Sequence, residues 1–139
     1  MRERTDADDV CQGAYNRALL DLILPPMRRA AKDAGYAITV HGSLNRDIDL
    51  VAIPWREHNV ADPEVLVISL CGAVRGVTGR CNFMPGRNQD GSGSIVDWTA
   101  KPHGRKAATL LVWCGQNSAG LDLSIMPTIA DPEDNNASD

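Results

Sequence analysis

Two aspartates alternate with apolar residues in the segment that follows the first Gly-Ser pair of the chain. Asp47 and Asp49 are separated by one residue, and Ile48, Leu50 and Ala52 fill the alternate positions. In a β-strand, residues i and i+2 point to the same face, which would place the two carboxylates roughly 7 Å apart. Carboxylates this close repel each other unless a cation or a shared proton offsets the charge. The pattern predicts a half-buried strand with a metal site, or alternatively a pair of solvated carboxylates on a hairpin.

The spacing of apolar residues in the first half of the chain predicts the element order helix, strand, strand, helix. Residues 10–34 have helical spacing, with an interruption at Pro25-Pro26 that predicts a second helix from there to Ala34. Tyr36 to His41 and Asp47 to Ile53 are predicted to form a hairpin. The segment 62–64, Asp-Pro-Glu, is typical of a helix start, and this helix is expected to end near Gly76 to Gly79.

The second half predicts a short extended piece at residues 81–84 and a hairpin with strands near 107–114 and 120–126. This element order is that of an α+β fold, with helices packed on one face of a mixed or antiparallel sheet. We expect a flexible charged N-terminus at 1–9, one domain at 10–129 and a disordered acidic tail at 130–139. The glycine-rich stretch at 86–94 lacks the ending of a phosphate-binding Walker loop and is interpreted as a linker.

The charge of the chain is unevenly distributed. The net charge is −4, but residues 1–9 and 131–139 together carry more than this, and residues 10–130 carry +2. A cluster of basic residues between 75 and 106 favours an anionic ligand. Lys101, His103 and Arg105 lie in one Pro- and Gly-containing segment and could contact phosphates, or could simply form a solvated basic loop.

No membrane or extracellular signal is evident. No run approaches the roughly 18 apolar residues that span a bilayer, and the N-terminus lacks the apolar stretch of a secretory signal. The four cysteines match no common zinc spacing and are expected to be free buried thiols. We therefore expect a cytoplasmic protein without a structural zinc site.

Gly42-Ser43, Arg46 and the Asp47-x-Asp49 pair resemble the signature of the DNA polymerase beta-like nucleotidyltransferase superfamily. The resemblance implies a minimal nucleotidyltransferase core in which Asp47 and Asp49 bind Mg²⁺ or Mn²⁺. It also implies a third carboxylate on a later strand, for which Asp122 has the right surroundings. Only three residues, 44–46, separate the Gly-Ser pair from the aspartates, whereas the family has a longer connection there.

The resemblance assigns further roles near these carboxylates. Gly42 and Ser43 would approach the nucleotide phosphates, although both are also ordinary turn residues. Arg46 would contact phosphate or form a local ion pair. Asp47, Asp49 and Asp122 would be the catalytic metal ligands, with the phosphates contacted further by the basic segment.

The implied function is metal-dependent binding of an NTP and transfer of a nucleoside monophosphate to an acceptor. The acceptor is a protein, an RNA or a small molecule, and a homodimer or a partner protein would complete the substrate contacts. The main alternative is a catalytically inactive nucleotide- or protein-binding module on the same fold, which the short connection favours. A metal-dependent nuclease or phosphohydrolase is a third interpretation of clustered carboxylates.

Overall fold

A computed structural model describes residues 3–86 and 94–128 of the chain. Its helices are α1, Asp6–Ala34, and α2, Pro63–Thr78. Its strands are β1 Tyr36–His41, β2 Ile48–Pro54, β3 Arg80–Phe83, β4 Thr99–Ala100, β5 Lys106–Cys114 and β6 Asn117–Ile125. The predicted α+β class is confirmed, and both predicted hairpins are present. Most of the predicted linker, residues 87–93, and the predicted tail at 130–139 lie outside the described residues.

The two hairpins join into one mixed sheet. The strand order is β1-β2-β6-β5-β3, and the short β4 also pairs with β5. The β2–β6 pair is parallel and connects the two hairpins, while the other described pairs are antiparallel. A parallel connection requires a long crossover, and here α2 and β3 lie between the two strands in the chain.

One face of the sheet is buried beneath both helices. Ile48 and Leu50 of β2, with Leu121 and Leu123 of β6, are at most 1% exposed. They belong to a single core cluster with the buried residues of α1 and α2. Because side chains alternate along a strand, the intervening polar residues point to the opposite face. That second face, which we call the open face, carries the predicted carboxylates.

Helix α1 continues through Pro25 and Pro26, so the predicted interruption is wrong. Each proline lacks the N–H that an α-helix would use at its position. The side chains of Ile23 and Met27, on either side of the pair, are fully buried in the core. Tertiary packing of this kind supplies most of the stability of a helix in a protein, and it holds the two halves together.

Helix α1 also begins earlier than the periodicity indicates. The predicted flexible N-terminus includes Asp6–Asp9, which the structure places in the first helical turn. Thr5 caps the helix: its hydroxyl accepts a hydrogen bond from the backbone N–H of Asp8, whose carboxylate accepts one from the N–H of Thr5. This reciprocal pair is a capping box, and the Thr-x-x-Asp spacing was its signal in the sequence.

Both helices end at a glycine with a left-handed backbone. Gly35 follows α1 as predicted, and Gly79 follows α2, with φ values of 94° and 91°. Helix α2 begins at Pro63 next to Asp62, which also agrees with the prediction. Within the described part of the chain, neither helix combines the length and apolar character needed to cross a membrane.

A buried asparagine joins α1 to the turn between β1 and β2. Asn16 is 0% exposed, and its side-chain amide donates to the carbonyl oxygens of Leu44 at 2.7 Å and Arg46 at 3.2 Å. The Oδ1 atom of Asn16 accepts a hydrogen bond from the side-chain amide of Gln12 at 2.8 Å. Since buried polar groups require partners, these bonds fix the turn against the helix.

We expect Asn16→Ala to lower the free energy of unfolding by about 1–3 kcal/mol, because two backbone carbonyls lose their donor. Urea unfolding followed by tryptophan fluorescence measures the change. Asn82→Ala, at an exposed position of β3, is the matched control and should change stability by less than about 0.5 kcal/mol. Equal effects of the two substitutions would contradict the role of the buried amide.

Candidate functional site

The structure brings Asp49 and Asp122 side by side. They are direct partners in the register of the parallel β2–β6 pair, and adjacent strands lie roughly 4.8 Å apart. Both side chains lie on the open face, opposite the buried leucines of the same strands. The two carboxylates, distant in sequence, are therefore neighbours on one surface.

Asp47 lies next to this pair, immediately before the start of β2. A Cβ atom added to Gly120 would lie 2.9 Å from Oδ1 of Asp47, so the carboxylate rests directly over this glycine of β6. Gly120 is two residues before Asp122 and faces the same way. The three predicted carboxylates thus form a row on the open face, although Asp47 belongs to the turn and not to the strand.

The negative charges of the row repel one another and are only partly offset by nearby arginines. Asp47 is exposed overall, but partial desolvation of its carboxylate raises its pKa above the usual value, and the neighbouring carboxylates of Asp122 and Asp49 raise that pKa further. Arg4 and Arg46 act in the opposite direction without reversing the shift. Ionised Asp47 is therefore electrostatically unfavourable here, which is the condition under which a cation would be attracted.

The donor set suits a hard divalent cation, because Mg²⁺ prefers carboxylate oxygens and usually binds through one or two of them with waters and phosphates. Asp49 and Asp122 are the adjacent pair that could hold it, with Asp47 beside them. Across residues 3–86 and 94–128, no group of three or more Asp, Glu, His or Cys side chains is arranged so that it could hold a metal ion, and this includes the three predicted carboxylates. The Thr109 hydroxyl donates to Oδ1 of Asp122 at 3.3 Å and orients that carboxylate.

A cavity of about 310 Å³ opens on the sheet beside the adjacent pair. Asp49 and Asp122 line it from the sheet, and Lys101 lines it from the segment that follows β4. His41, the register partner of Asp49 on β1, and Asp97 also line this cavity. The cavity therefore combines the adjacent carboxylates of Asp49 and Asp122 and the carboxylate of Asp97 with one cation and one imidazole.

The predicted basic segment contributes unequally to this cavity. Lys101 is a lining residue. The side chain of Arg105 turns back, with Nε donating to the carbonyl of Pro102 at 3.1 Å. His103 is exposed in the short 3-10 turn Pro102–Gly104 and has a left-handed φ of 65°. The structure thus places Lys101 at the cavity and gives Arg105 a local role in the turn.

The Gly-Ser turn is fixed by helix α1. Gly42 has a φ of 83°, and a Cβ there would lie 2.6 Å from Oδ2 of Asp49, so its backbone touches the carboxylate. The Ser43 hydroxyl accepts from the N–H of Asn45 at 3.3 Å, and the Ser43 carbonyl accepts from Arg17 at 3.1 Å. Gly42 therefore contacts the site, whereas the Ser43 hydroxyl and carbonyl form hydrogen bonds that stabilise the turn.

Arg46 forms an ion pair with a residue distant in the chain, and not the local ion pair that the sequence left open. Its Nε atom lies 3.5 Å from Oδ1 of Asp9 in α1, and its side chain is 69% exposed. Arg4 also binds Asp9 and donates to the carbonyl of Asn45 at 3.1 Å. The partner of Arg46 thus lies 37 residues away in the chain, in a helical turn that the sequence did not predict.

Sequence reasoning missed His41, Asp97 and Thr109 as members of the site. The signal for Thr109 was the alternation in β5, which places it on the open face opposite Asp122. His41 occupies the last position of β1, and its register with Asp49 follows from the short turn between the strands. Asp97 had no signal, because its position depends on how residues 94–101 fold beside the sheet.

Comparisons with known proteins do not assign the chain to a family. The chain matches no family model, and no curated protein is significantly similar to it. The resemblance of residues 42–49 to nucleotidyltransferases therefore stays a prediction.

Because the pKa of Asp47 is raised, we expect Asp47→Asn to increase folding stability by an amount that depends on pH. Ionisation of this carboxylate is less favourable in the folded than in the unfolded chain. The wild type therefore loses folding stability as the pH rises from 3.8, the usual pKa of aspartate, through the raised pKa of Asp47. The substitution removes that loss. We expect Asp47→Asn to melt at a higher temperature at neutral pH in chelator, with the gain vanishing below pH 3.8.

Thermal unfolding followed by circular dichroism across this pH range makes the measurement. Asp21→Asn, at an exposed position of α1, is the control and should show no such pH-dependent gain. A melting temperature of Asp47→Asn that is unchanged or lower at neutral pH would contradict the electrostatic argument.

Proposed function

We propose that this protein binds an NTP with Mg²⁺ or Mn²⁺ and transfers the nucleoside monophosphate to an acceptor hydroxyl. The observation that carries the proposal is the adjacency of Asp49 and Asp122 in a cavity that Lys101 also lines. The carboxylates of Asp49, Asp97 and Asp122 and the ammonium group of Lys101 line this cavity of about 310 Å³, and such a set suits a metal–phosphate ligand.

Each side chain then has a chemical role. Asp49 and Asp122, with Asp47 beside them, would hold the metal, which when bound neutralises phosphate charge and stabilises the attacking and leaving oxygens. Lys101 would offset charge on the phosphates as a point charge. Lys101 lines the same cavity as the two carboxylates, which supports this role.

The transfer balances in atoms and charge. The acceptor oxygen forms a bond to the α-phosphorus, and the bond to pyrophosphate breaks with its electron pair leaving on pyrophosphate. The proton of the acceptor hydroxyl would pass to the carboxylate of Asp122, which also accepts a hydrogen bond from Thr109 and would be one of the metal ligands. Asp122 would thus act as general base, a role that carboxylates commonly take.

A second candidate is a catalytically inactive nucleotide- or protein-binding module. The observation that favours it is the state of the Gly-Ser turn, in which the Ser43 hydroxyl and carbonyl are already bonded to Asn45 and Arg17. A turn held in this way offers fewer groups to a triphosphate than the resemblance implies. This module would keep the metal–nucleotide site and lack transfer.

The location and partners belong to the proposal as well. All four cysteines are free, which fits the cytoplasm, where NTPs and Mg²⁺ are available. The acceptor would be a protein, an RNA or a small molecule, and a homodimer or partner protein would supply its contacts. Incubation with labelled NTP and each acceptor class, followed by product analysis, identifies which one receives the nucleotide.

We expect Asp49→Asn to weaken Mg²⁺-dependent binding of ATP or GTP by at least about tenfold, because one of two adjacent ligands loses its charge. Titration calorimetry with and without Mg²⁺ measures affinity, and pyrophosphate release measures turnover. Asp21→Asn is the control and should bind as the wild type does.

The outcomes separate the candidates. Binding with pyrophosphate release that Asp49→Asn abolishes supports transfer, and binding without release supports the inactive module. Hydrolysis with no transferred nucleotide points to a phosphohydrolase. Wild-type affinity in Asp49→Asn, with circular dichroism showing an intact fold, would overturn the assignment of the carboxylates.

A further inference from the structure

Two buried cysteines touch each other far from the carboxylate row. Cys71 of α2 and Cys81 of β3 are 2% and 0% exposed, and their sulfur atoms lie 3.6 Å apart. The other cysteines, Cys11 and Cys114, are exposed, so the expectation of four buried thiols holds for only this pair. Neither Cys71 nor Cys81 has a role in the proposed function.

We propose that Cys71 and Cys81 form a modification site, a dithiol pair that peroxide oxidises to a disulfide linking α2 to β3. The two residues come from different elements, so the bond would add a covalent link to the Arg75–Cys81 hydrogen bond and the packing that already hold α2 against β3. Closure requires the sulfur atoms to approach by about 1.5 Å, to the normal S–S separation. This inference stands independently of nucleotide binding.

The surroundings of the pair favour a thiolate at Cys71. The Cys81 thiol donates a hydrogen bond to the Cys71 sulfur, and this bond lowers the pKa of Cys71. Arg75, one turn further along α2, lowers the same pKa and donates to the carbonyl of Cys81 at 2.8 Å. The same contact and burial raise the pKa of Cys81, so Cys71 is the nucleophile and Cys81 the resolving thiol.

The oxidation balances with peroxide as the oxidant. The Cys71 thiolate attacks one oxygen of hydrogen peroxide, the O–O bond breaks, and hydroxide leaves to give a sulfenic acid. The sulfur of Cys81 then attacks the sulfenic sulfur, and that hydroxyl leaves as water with the Cys81 proton. The two thiols are oxidised to one disulfide while one peroxide is reduced to two waters.

The linkage would fix an edge of the sheet. Strand β3 is last in the strand order and pairs only with β5 among the described strands. Directly after β3, the N–H of Met84 donates to the carbonyl of Thr109 at 3.3 Å, and Met84 lines the carboxylate cavity. A disulfide at Cys81 therefore anchors the strand that leads to this rim.

The test uses the full chain with Cys11→Ser and Cys114→Ser, so that the exposed thiols cannot cross-link. After treatment of the folded protein with one equivalent of hydrogen peroxide, we expect a mass loss of two hydrogen atoms. Tryptic peptides 57–75 and 81–87 should then be found covalently joined. The melting temperature should rise on the order of 10 °C, because the link constrains the unfolded chain, and dithiothreitol should reverse both changes.

The controls decide whether the folded geometry is responsible. Adding Cys81→Ser to the same background should abolish the cross-link and the rise in melting temperature, leaving Cys71 to gain oxygen instead. A cross-link that forms only after unfolding in urea would overturn the proposal. So would peroxide-treated folded protein that keeps both thiols or carries sulfinic acids without the joined peptides.

Discussion

The parallel pairing of β2 with β6 is the constraint on which the rest of the structure depends. It brings two hairpins into one sheet and aligns Ile48 with Leu121 and Leu50 with Leu123 in the core. Because side chains alternate, the same register places Asp49 beside Asp122 on the open face. If β2 were shifted by one residue against β6, Asp49 would face the core and Ile48 and Leu50 would face the open side, so core burial itself enforces the proximity of the two charges.

Helix α1 extends this control to the turn that carries Gly42. Asn16 of α1 forms hydrogen bonds to the turn between β1 and β2. Asp9, in the first helical turn of α1, forms an ion pair with Arg46. Close packing leaves little room here, since a Cβ at Gly13 would lie 2.5 Å from Oδ1 of Asn45. The position of Gly42 against Asp49 is therefore set by the helix as well as by the hairpin. The turn is therefore supported from two directions, which restricts where Gly42 can lie.

The alternation of apolar and polar residues was enough to predict the strands and the faces of Asp49 and Asp122. It could not predict that β2 pairs with β6, because pairing between distant strands depends on the packing of the whole chain. The local rule for proline failed at Pro25 for a related reason, since core burial outweighed it. Arg46 was assigned without knowledge of the helical turn that holds its partner.

Two local rules are broken at one patch of the open face. Aspartate is unfavourable in strands, yet Asp49 and Asp122 occupy adjacent positions there. Gly120 lies inside β6 without a left-handed backbone, although glycine in a strand interior costs about 0.5–1 kcal/mol relative to alanine. The carboxylate of Asp47 fills the space where a Cβ would be. Gly120 is thus explained by the approach of a third negative charge, an arrangement that opposes folding stability and that a bound cation would relieve.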